Sequence, residues 1–229
     1  MLPLKDDNPK HITPYVTYAI IAACVGAFLW QVSLPPDQAR RAVIALGAVP
    51  AVIFNSVEMP PELAILPARF QHLSLITSMF LHLGWWHLFG NMLYMWIFAD
   101  NVEDAMGHDR FVAFYLLCGL AATIAQSLAD PASMSPVAGA SGAISGVLGA
   151  YLLLYPRAKV LVWAFAVFVF KLPAWMVLGA WIAIQVFSAT MGGQSNVAWW
   201  AHIGGAAAGM ALVVLFKRPG VGLWGDGRL

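Results

Sequence analysis

The sequence contains few charged residues: aspartate, glutamate, lysine and arginine together make up 10% of its 229 residues. An average soluble domain carries about 25%. Hydrophobic residues account for 61% and the mean hydropathy is +0.75, which excludes a water-soluble globule and predicts a polytopic membrane protein. A transmembrane β-barrel would show alternating segments of about 10 residues. This chain has long continuous apolar runs instead, which predict an all-α helix bundle.

Cysteine is almost absent as well. Cys24 and Cys118 are the only two, and both fall in apolar runs. A disulfide framework and a CxxC redox motif are therefore excluded, and packing is the expected role of both residues. The net charge of +1 gives no sign of nucleic-acid binding, so no nucleic-acid partner is expected. No cofactor is expected either. No internal repeat is evident, which argues against an inverted-repeat transporter.

Six apolar stretches predict six membrane-spanning helices in one domain covering residues 1–229. The long loop 35–71 follows the first span and contains a predicted amphipathic helix over 42–54, and a charged connector over 100–110 follows the second. Residues 160–170 are too few to cross about 30 Å of hydrocarbon, so we expect them at the interface or in a re-entrant piece. The predicted spans are residues 15–34, 73–98, 111–129, 141–155, 174–190 and 197–216.

The distribution of positive charge predicts the orientation, since lysine and arginine favour cytoplasmic loops. An even number of spans puts both termini on one side of the lipid bilayer. The opposite side carries only Arg40, Arg41 and Arg69. We therefore expect cytoplasmic termini, and a bacterial inner membrane as the location. The terminal side carries Lys5, Lys10, Arg110, Arg157, Lys159, Lys171, Lys217, Arg218 and Arg228.

Two serines lie in a run of small residues, 136–146, at the predicted start of the fourth span. Lipid has no water to satisfy a polar side chain, so such residues are functional candidates. Ser141 is at the predicted N-terminus of the helix, where main-chain N–H groups have no intrahelical partner and the helix dipole is positive. Ser145 lies one turn further on, and we expect it to be a packing residue.

Three more polar residues complete a candidate catalytic group. His87 and Asn91 are four residues apart and share one face of the second span, and His202 is near the start of the sixth. His202 can act as general base on Ser141, while the N–H of Ser141 with the side chains of His87 and Asn91 can donate to an oxyanion. No carboxylate lies within a span to orient His202, so the sequence predicts a Ser-His dyad.

Small residues on the sixth span indicate how the histidine and the serine could meet. Gly205 and Gly209 share a helix face, and close packing against Gly142 and Gly146 of the fourth span would bring the two helix backbones together.

Other hydrolytic chemistries are excluded by spacing. A zinc protease of the HExxH type needs two histidines on one helix face with a glutamate between them. His82 and His87 have no acid between them and would point about 140° apart, so no metal site is expected. An aspartyl membrane protease needs two intramembrane aspartates, but Asp100 and Asp130 lie at span ends. The G-x-S-x-G elbow of soluble hydrolases fails at Ala143.

Four motifs occur in order along the chain: His87-x-x-x-Asn91, Glu103-x-x-x-Gly107-x-x-x-Phe111, Gly139-Ala-Ser-Gly142 and Ala201-His-Ile-Gly-Gly205. In these motifs the chain resembles the rhomboid family of intramembrane serine proteases, over residues 15–215. The resemblance implies a nucleophile at Ser141, a base at His202 and oxyanion donors at His87 and Asn91. It also implies cleavage of single-span membrane proteins, with access governed by the first loop and the fifth span.

One position departs from the family pattern. Ser145 stands where many relatives carry an aromatic side chain that stacks on the base histidine, so the resemblance does not say what holds the ring of His202.

Two other functions compete with a protease. A rhomboid-like scaffold could bind membrane helices without cutting them, although such relatives lack the serine or the histidine. A transporter would need paired intramembrane charges or broken helices in repeated positions, and only the break at Lys171 to Pro173 points that way.

Overall fold

The computed structural model describes residues 2–54, 72–164, 168–191 and 197–225, and over these residues the chain is mostly helical. Residues 55–71 of the predicted loop 35–71, including Arg69, therefore lie outside the described residues. The helices are α1 (Tyr15–Ser33), α2 (Pro36–Leu46), α3 (Pro50–Ile53), α4 (Ser74–Thr77), α5 (Trp85–Met106), α6 (His108–Ala129), α7 (Ser141–Leu154), α8 (Ala174–Thr190) and α9 (Trp199–Phe216).

Three of these helices, α1, α6 and α9, are long and apolar enough to cross a membrane. Helices α7 and α8 are apolar but shorter, and α5 carries acidic residues near its C-terminal end. Helices occupy the positions of the predicted first, third, fourth, fifth and sixth spans, with ends that differ by at most three residues. The count of six membrane crossings stays a prediction.

The prediction of one continuous span over residues 73–98 is wrong. The short α4 and a 3₁₀ turn at Ser78–Phe80 come first, and the chain is extended at Leu81 before α5 begins. The side chain of Gln31 on α1 explains the break. Its Nε2 donates to the main-chain oxygen of His82 at 3.2 Å, and its Oε1 accepts from the N–H of His82 at 3.0 Å. These two bonds replace the ones that a continuous helix would make.

The predicted charged connector 100–110 is also helical, except at one residue. Gly107 is the single residue between α5 and α6. Its φ of +85° is a conformation that favours glycine at a helix end. Glu103 on α5 is fully buried and accepts from the N–H groups of Val16 and Thr17 at 3.0 and 2.8 Å. It thereby satisfies free donors at the start of α1, which is a structural role.

The all-α prediction is wrong in one respect, because a small antiparallel sheet is present in the order β1-β2-β3. Its strands are β1 (Leu2–Asp6), β2 (Lys159–Ala164) and β3 (Phe168–Pro173). Residues 160–164 therefore belong to β2 and residues 168–170 to β3, and the expected position of this segment at the membrane interface stays a prediction. In β2, Val160, Val162 and Ala164 are buried in alternation, as in a strand with one face on a core.

The predicted amphipathic helix over 42–54 is present in two pieces, α2 and α3. Pro36 and Pro50 are the first residues of these helices, a position where the missing N–H has no cost. Gly47, Ala48 and Val49 separate the pieces, and Ala48 pairs with Val137 as an isolated bridge.

Glycines hold α7 and α9 in direct backbone contact, as the sequence predicted. A Cβ at Gly205 would overlap the carbonyl oxygen of Gly142, and a Cβ at Gly209 would overlap that of Gly146. The approach of α9 to α7 at the level of Ser141 therefore depends on residues without side chains.

The N-terminal and C-terminal segments meet at one end of the molecule. Arg218 contacts the carboxylate of Asp104 at 2.9 Å, and Lys10 contacts that of Asp100 at 2.9 Å. Both acidic residues belong to the last turns of α5, so this end of α5 joins the two termini.

Candidate active site

Ser141 is the first residue of α7, and the loop before it is fixed by main-chain hydrogen bonds. Val137 and Ala48 exchange bonds of 2.8 and 2.9 Å, and the N–H of Gly139 donates to the oxygen of Ser78 at 2.9 Å. Gly139 has a φ of +134°, which favours glycine. The serine therefore sits at a helix N-terminus, where first-turn N–H groups are free of intrahelical partners.

His202 lies in the first turn of α9 and reaches the serine across the α7–α9 contact. Its Nε2 is 2.9 Å from Ser141 Oγ, which is the distance of a hydrogen bond. The structure thus brings together the two residues that the sequence analysis assigned as base and nucleophile.

The other ring nitrogen of His202 meets a residue that the sequence analysis did not single out. Gln185 Oε1 on α8 lies 2.7 Å from His202 Nδ1, and the amide Nε2 donates to the main-chain oxygen of Trp181 at 3.3 Å. Gln185 is buried. It is the only carboxamide in α8, and a polar side chain within an apolar helix is the signal that could have identified it.

Two tryptophans hold the ring of His202. The ring of Trp181 is 5.8 Å from that of His202 between centroids, at an interplanar angle of 36°. The ring of Trp199 is 6.2 Å away and nearly perpendicular, at 86°. Both separations fall within the range of favourable aromatic contacts. Trp181 thus supplies from α8 the aromatic contact that is missing at Ser145.

Ser145 has a different environment from Ser141. It is fully buried, and its hydroxyl donates to the main-chain oxygen of Ser141 at 2.6 Å. Such a bond to the preceding turn is common for serine within a helix. The hydroxyl proton of Ser145 is therefore already used in a hydrogen bond within α7.

His87 packs against Gly139, in the loop that precedes Ser141. A Cβ on Gly139 would be 2.7 Å from His87 Cε1 and 2.8 Å from His87 Nε2, so the imidazole packs directly on the glycine. Nδ1 of His87 accepts from the N–H of Leu83 at 3.4 Å. Nε2 is therefore the nitrogen nearer to the loop that carries Ser141.

Asn91 is one turn further along the same face of α5. The residue is 7% exposed, and its Nδ2 has no hydrogen-bond partner among the described residues. Buried amide groups are normally hydrogen-bonded, so a free donor at this place is suited to a ligand.

These residues surround one cavity of about 1160 Å³. Its wall combines aromatic, aliphatic and polar side chains. Gln126 contributes an amide whose Oε1 accepts from the N–H of Ala201 at 3.3 Å. The described residues contain no group of three side chains able to hold a metal ion. The cavity wall includes Ser141, Ser145, His202, His87, Asn91, Trp181, Gln126 and Asp130.

Comparison with known proteins gives consistent matches. A family model described as the Rhomboid domain matches residues 69–219. The mitochondrial Rhomboid protein 1 of Saccharomyces cerevisiae is 34% identical over 147 residues, which cover 60% of this chain and 40% of that protein. RHOMBOID-like protein 5 of Arabidopsis thaliana is 34% identical over 149 residues, which cover 65% and 45%.

A bacterial relative matches over a shorter stretch. The Rhomboid protease GluP of Bacillus subtilis is 44% identical over 78 residues, which cover 34% of this chain and 15% of that protein. The chain spans less than half the length of each of these three relatives.

Proposed function

The chain belongs to the rhomboid family, and from that premise we propose that it is an intramembrane serine endopeptidase. The observation that carries the proposal is the 2.9 Å contact between Ser141 Oγ and His202 Nε2, at a helix N-terminus on the wall of a cavity. A family scaffold that only binds membrane helices would have no use for this contact.

The first half of the reaction acylates the serine. Ser141 Oγ attacks the scissile carbonyl carbon while its proton passes to His202 Nε2, and the carbonyl oxygen becomes an oxyanion. The N–H of Ser141 and the free Nδ2 of Asn91 are donors for this oxyanion, together with His87. When the intermediate collapses, the C–N bond breaks and the proton on His202 goes to the leaving amine.

The second half releases the other product. A water molecule attacks the ester on Ser141 and gives its proton to His202, and collapse of the second intermediate returns that proton to Ser141 Oγ. Removal of one oxyanion donor costs about 10²–10³ in rate in other serine hydrolases. His87 and Asn91 are therefore proposed as electrostatic groups that act mainly in the transition state.

The proposed substrates are single-span membrane proteins. A scissile carbonyl within an α-helix accepts the N–H four residues on, so Ser141 can reach it only after local unwinding. Glycine is about 1 kcal/mol and proline about 3 kcal/mol worse than alanine in a helix. We therefore expect small or helix-breaking residues near the cleaved bond, and leucine at those positions should slow the initial rate of cleavage. Equal rates for the leucine variants would refute the unwinding requirement.

The proposed orientation in the membrane rests on the distribution of lysine and arginine along the chain. We propose a single domain of six membrane crossings with both termini in the cytoplasm, because lysine and arginine are concentrated on the terminal side. The cavity would then face the extracytoplasmic side. A bacterial inner membrane is the proposed location, which subcellular fractionation tests.

The test of the function is cleavage of a single-span substrate in proteoliposomes. The wild-type protein should cut it, and Ser141→Ala and His202→Ala should each reduce the rate to background. Val214→Ala, an exposed position on α9, serves as the control and should cut at the wild-type rate. Binding of the substrate without cleavage by the wild-type protein would favour the scaffold function instead.

A further inference from the structure

We propose that Gln185 is a positioning residue that determines which nitrogen of His202 carries the proton. The inference rests on the proposed protease function and adds a third member, on α8, to the serine and the histidine. The carboxamide takes the place that an acidic residue occupies in a Ser-His-Asp triad, and no acidic residue occurs in α8.

The orientation of the Gln185 amide is set by its own partner. A main-chain carbonyl can only accept, so the group 3.3 Å from the oxygen of Trp181 must be the amide NH₂. The amide oxygen then faces His202 Nδ1 at 2.7 Å. Because an amide oxygen can only accept, Nδ1 must carry the ring proton.

The proton on His202 Nδ1 determines how Nε2 can interact with Ser141. In a neutral imidazole one nitrogen is a donor and the other an acceptor, so a proton on Nδ1 leaves a lone pair on Nε2. That lone pair faces Ser141 Oγ at 2.9 Å and is ready to take the hydroxyl proton. With the opposite tautomer, Nε2–H would point at the serine and His202 could not act as its base.

Burial makes this arrangement persistent. Gln185 is 4% exposed on a helix whose only other polar side chains are Ser188 and Thr190. A buried amide without partners is costly. Trp181 and Gln185 are one helical turn apart, and both touch His202. The orientation of His202 therefore depends on α8 being packed against α9.

A carboxamide differs from a carboxylate in one respect that can be measured. A neutral amide orients the ring but adds no negative charge to stabilise the imidazolium that forms during acylation. Gln185→Glu adds that charge and keeps an oxygen for Nδ1, whereas Gln185→Met removes the acceptor at similar side-chain length. The two variants separate orientation from charge.

The experiment measures kcat, KM and the pH profile of kcat/KM for both variants in proteoliposomes. Gln185→Met should lower kcat by about 10- to 100-fold, the range found for groups that orient metal-binding histidines, with little change in KM. Gln185→Glu should keep more of the activity and move the acidic limb of the profile to higher pH. Val186→Met, an exposed neighbour on α8, is the matched control and should resemble the wild type.

The pH profile needs the other groups that face His202 to stay constant. The titratable side chains that line the same cavity are His87 and Tyr94 on α5 and Asp130 after α6, and none is altered in these variants. A difference between the Met and Glu profiles therefore reports the partner of Nδ1.

A readout independent of activity is the ¹⁵N spectrum of the His202 ring at a pH where it is neutral. The wild-type protein should show a protonated Nδ1, and Gln185→Met should show a mixture of tautomers. Wild-type kcat in Gln185→Met, or an unprotonated Nδ1 in the wild-type protein, would overturn the inference. Equal losses of kcat and of thermal stability in both variants would also overturn it, by leaving Gln185 a structural role only.

These outcomes are distinct from failure of the proposed function. A wild-type protein that neither cleaves substrate nor reacts at Ser141 would refute the protease, whatever the tautomer. An active wild-type protein with an equally active Gln185→Met variant would refute only the role of Gln185.

Discussion

Gly139 is packed against the imidazole of His87, and its φ of +134° lies where side chains are strained. In Gly139→Ala, the new methyl group would lie 2.7 Å from His87 Cε1, so either the ring or the loop that carries Ser141 must move. We expect the rate of cleavage to fall by about 10-fold or more, since loss of one oxyanion donor alone can cost 10²–10³.

The matched control for Gly139→Ala is Gly26→Ala on α1, where an added Cβ meets nothing within 4 Å. That variant should cleave at the wild-type rate. If Gly139→Ala were equally active, the packing of His87 on the loop would have no part in catalysis.

The candidate residues Ser141, His202, His87 and Asn91 were accessible from the sequence because each is polar within a predicted span. Gln185 meets the same condition, but a lone amide in an apolar helix carries no information about its partner. Apart from Gln185, helix α8 has polar side chains only at Ser188 and Thr190 near its C-terminal end, so no sequence pattern marks the face that packs on α9. The role of Trp181 was hidden for the same reason, since tryptophan is also common at membrane interfaces.

At the scale of elements, the α7–α9 contact gives a direct prediction. Gly205→Ala and Gly209→Ala should each destabilise the protein by about 1–3 kcal/mol, the usual cost of overpacking, because the added methyl groups would overlap main-chain oxygens of α7. Thermal unfolding in detergent measures the effect.

Gly179→Ala on α8 is the control for the α9 glycines, because a Cβ there meets nothing within 4 Å. It should be neutral or slightly stabilising, since alanine is the better helix former. Equal stability of all three variants would contradict the close contact of α7 with α9.

The N-terminal strand carries a pH-dependent contact. Asp6 in β1 accepts from the hydroxyl of Tyr151 at 2.5 Å. Burial raises the pKa of Asp6 from 3.8 to about 7, and the bond from Tyr151 opposes the rise. Since the folded state holds this proton more tightly than the unfolded chain does, the contribution of Asp6 to stability is greatest below about pH 4 and is lost as the pH rises through 7.

Asp6→Asn tests this linkage. The variant cannot ionise, so its midpoint of thermal unfolding should fall less than that of the wild type between pH 5 and pH 8, by an amount on the order of a few °C. The control is Asp37→Asn on α2, at an exposed position. Parallel pH dependence in the wild type and Asp6→Asn would show that Asp6 ionises normally in the folded protein.

The sheet itself could not be predicted from local sequence. Residues 160–170 form an apolar run whose length fits neither a membrane span nor a clear alternating strand. Segment 2–6 is short and contains a proline, so it has no strand pattern either. Leu2 pairs with Trp163, a partner far along the chain. Strand formation depends on such cross-strand neighbours more than on intrinsic preference, and that information is absent from either segment alone.

For the whole molecule, the proposed orientation predicts which surfaces reach the outside of the cell. A cysteine at Asp37 should react with an impermeant thiol reagent in intact cells, whereas one at Gly222 should react only after lysis. Both positions are exposed, and the native Cys24 and Cys118 are buried, so background labelling should be low. Labelling at Gly222 but not at Asp37 in intact cells would reverse the orientation.

The central claim is that Ser141, activated by His202, is the nucleophile, and its most direct test is the site of covalent modification by a fluorophosphonate. The detergent-solubilised wild-type protein is treated with the probe, digested and analysed by mass spectrometry. The adduct should be on Ser141, should be absent in Ser141→Ala and His202→Ala, and should persist in Ser145→Ala. An adduct on Ser145, or no adduct in a folded wild-type protein that carries both residues, would contradict the account.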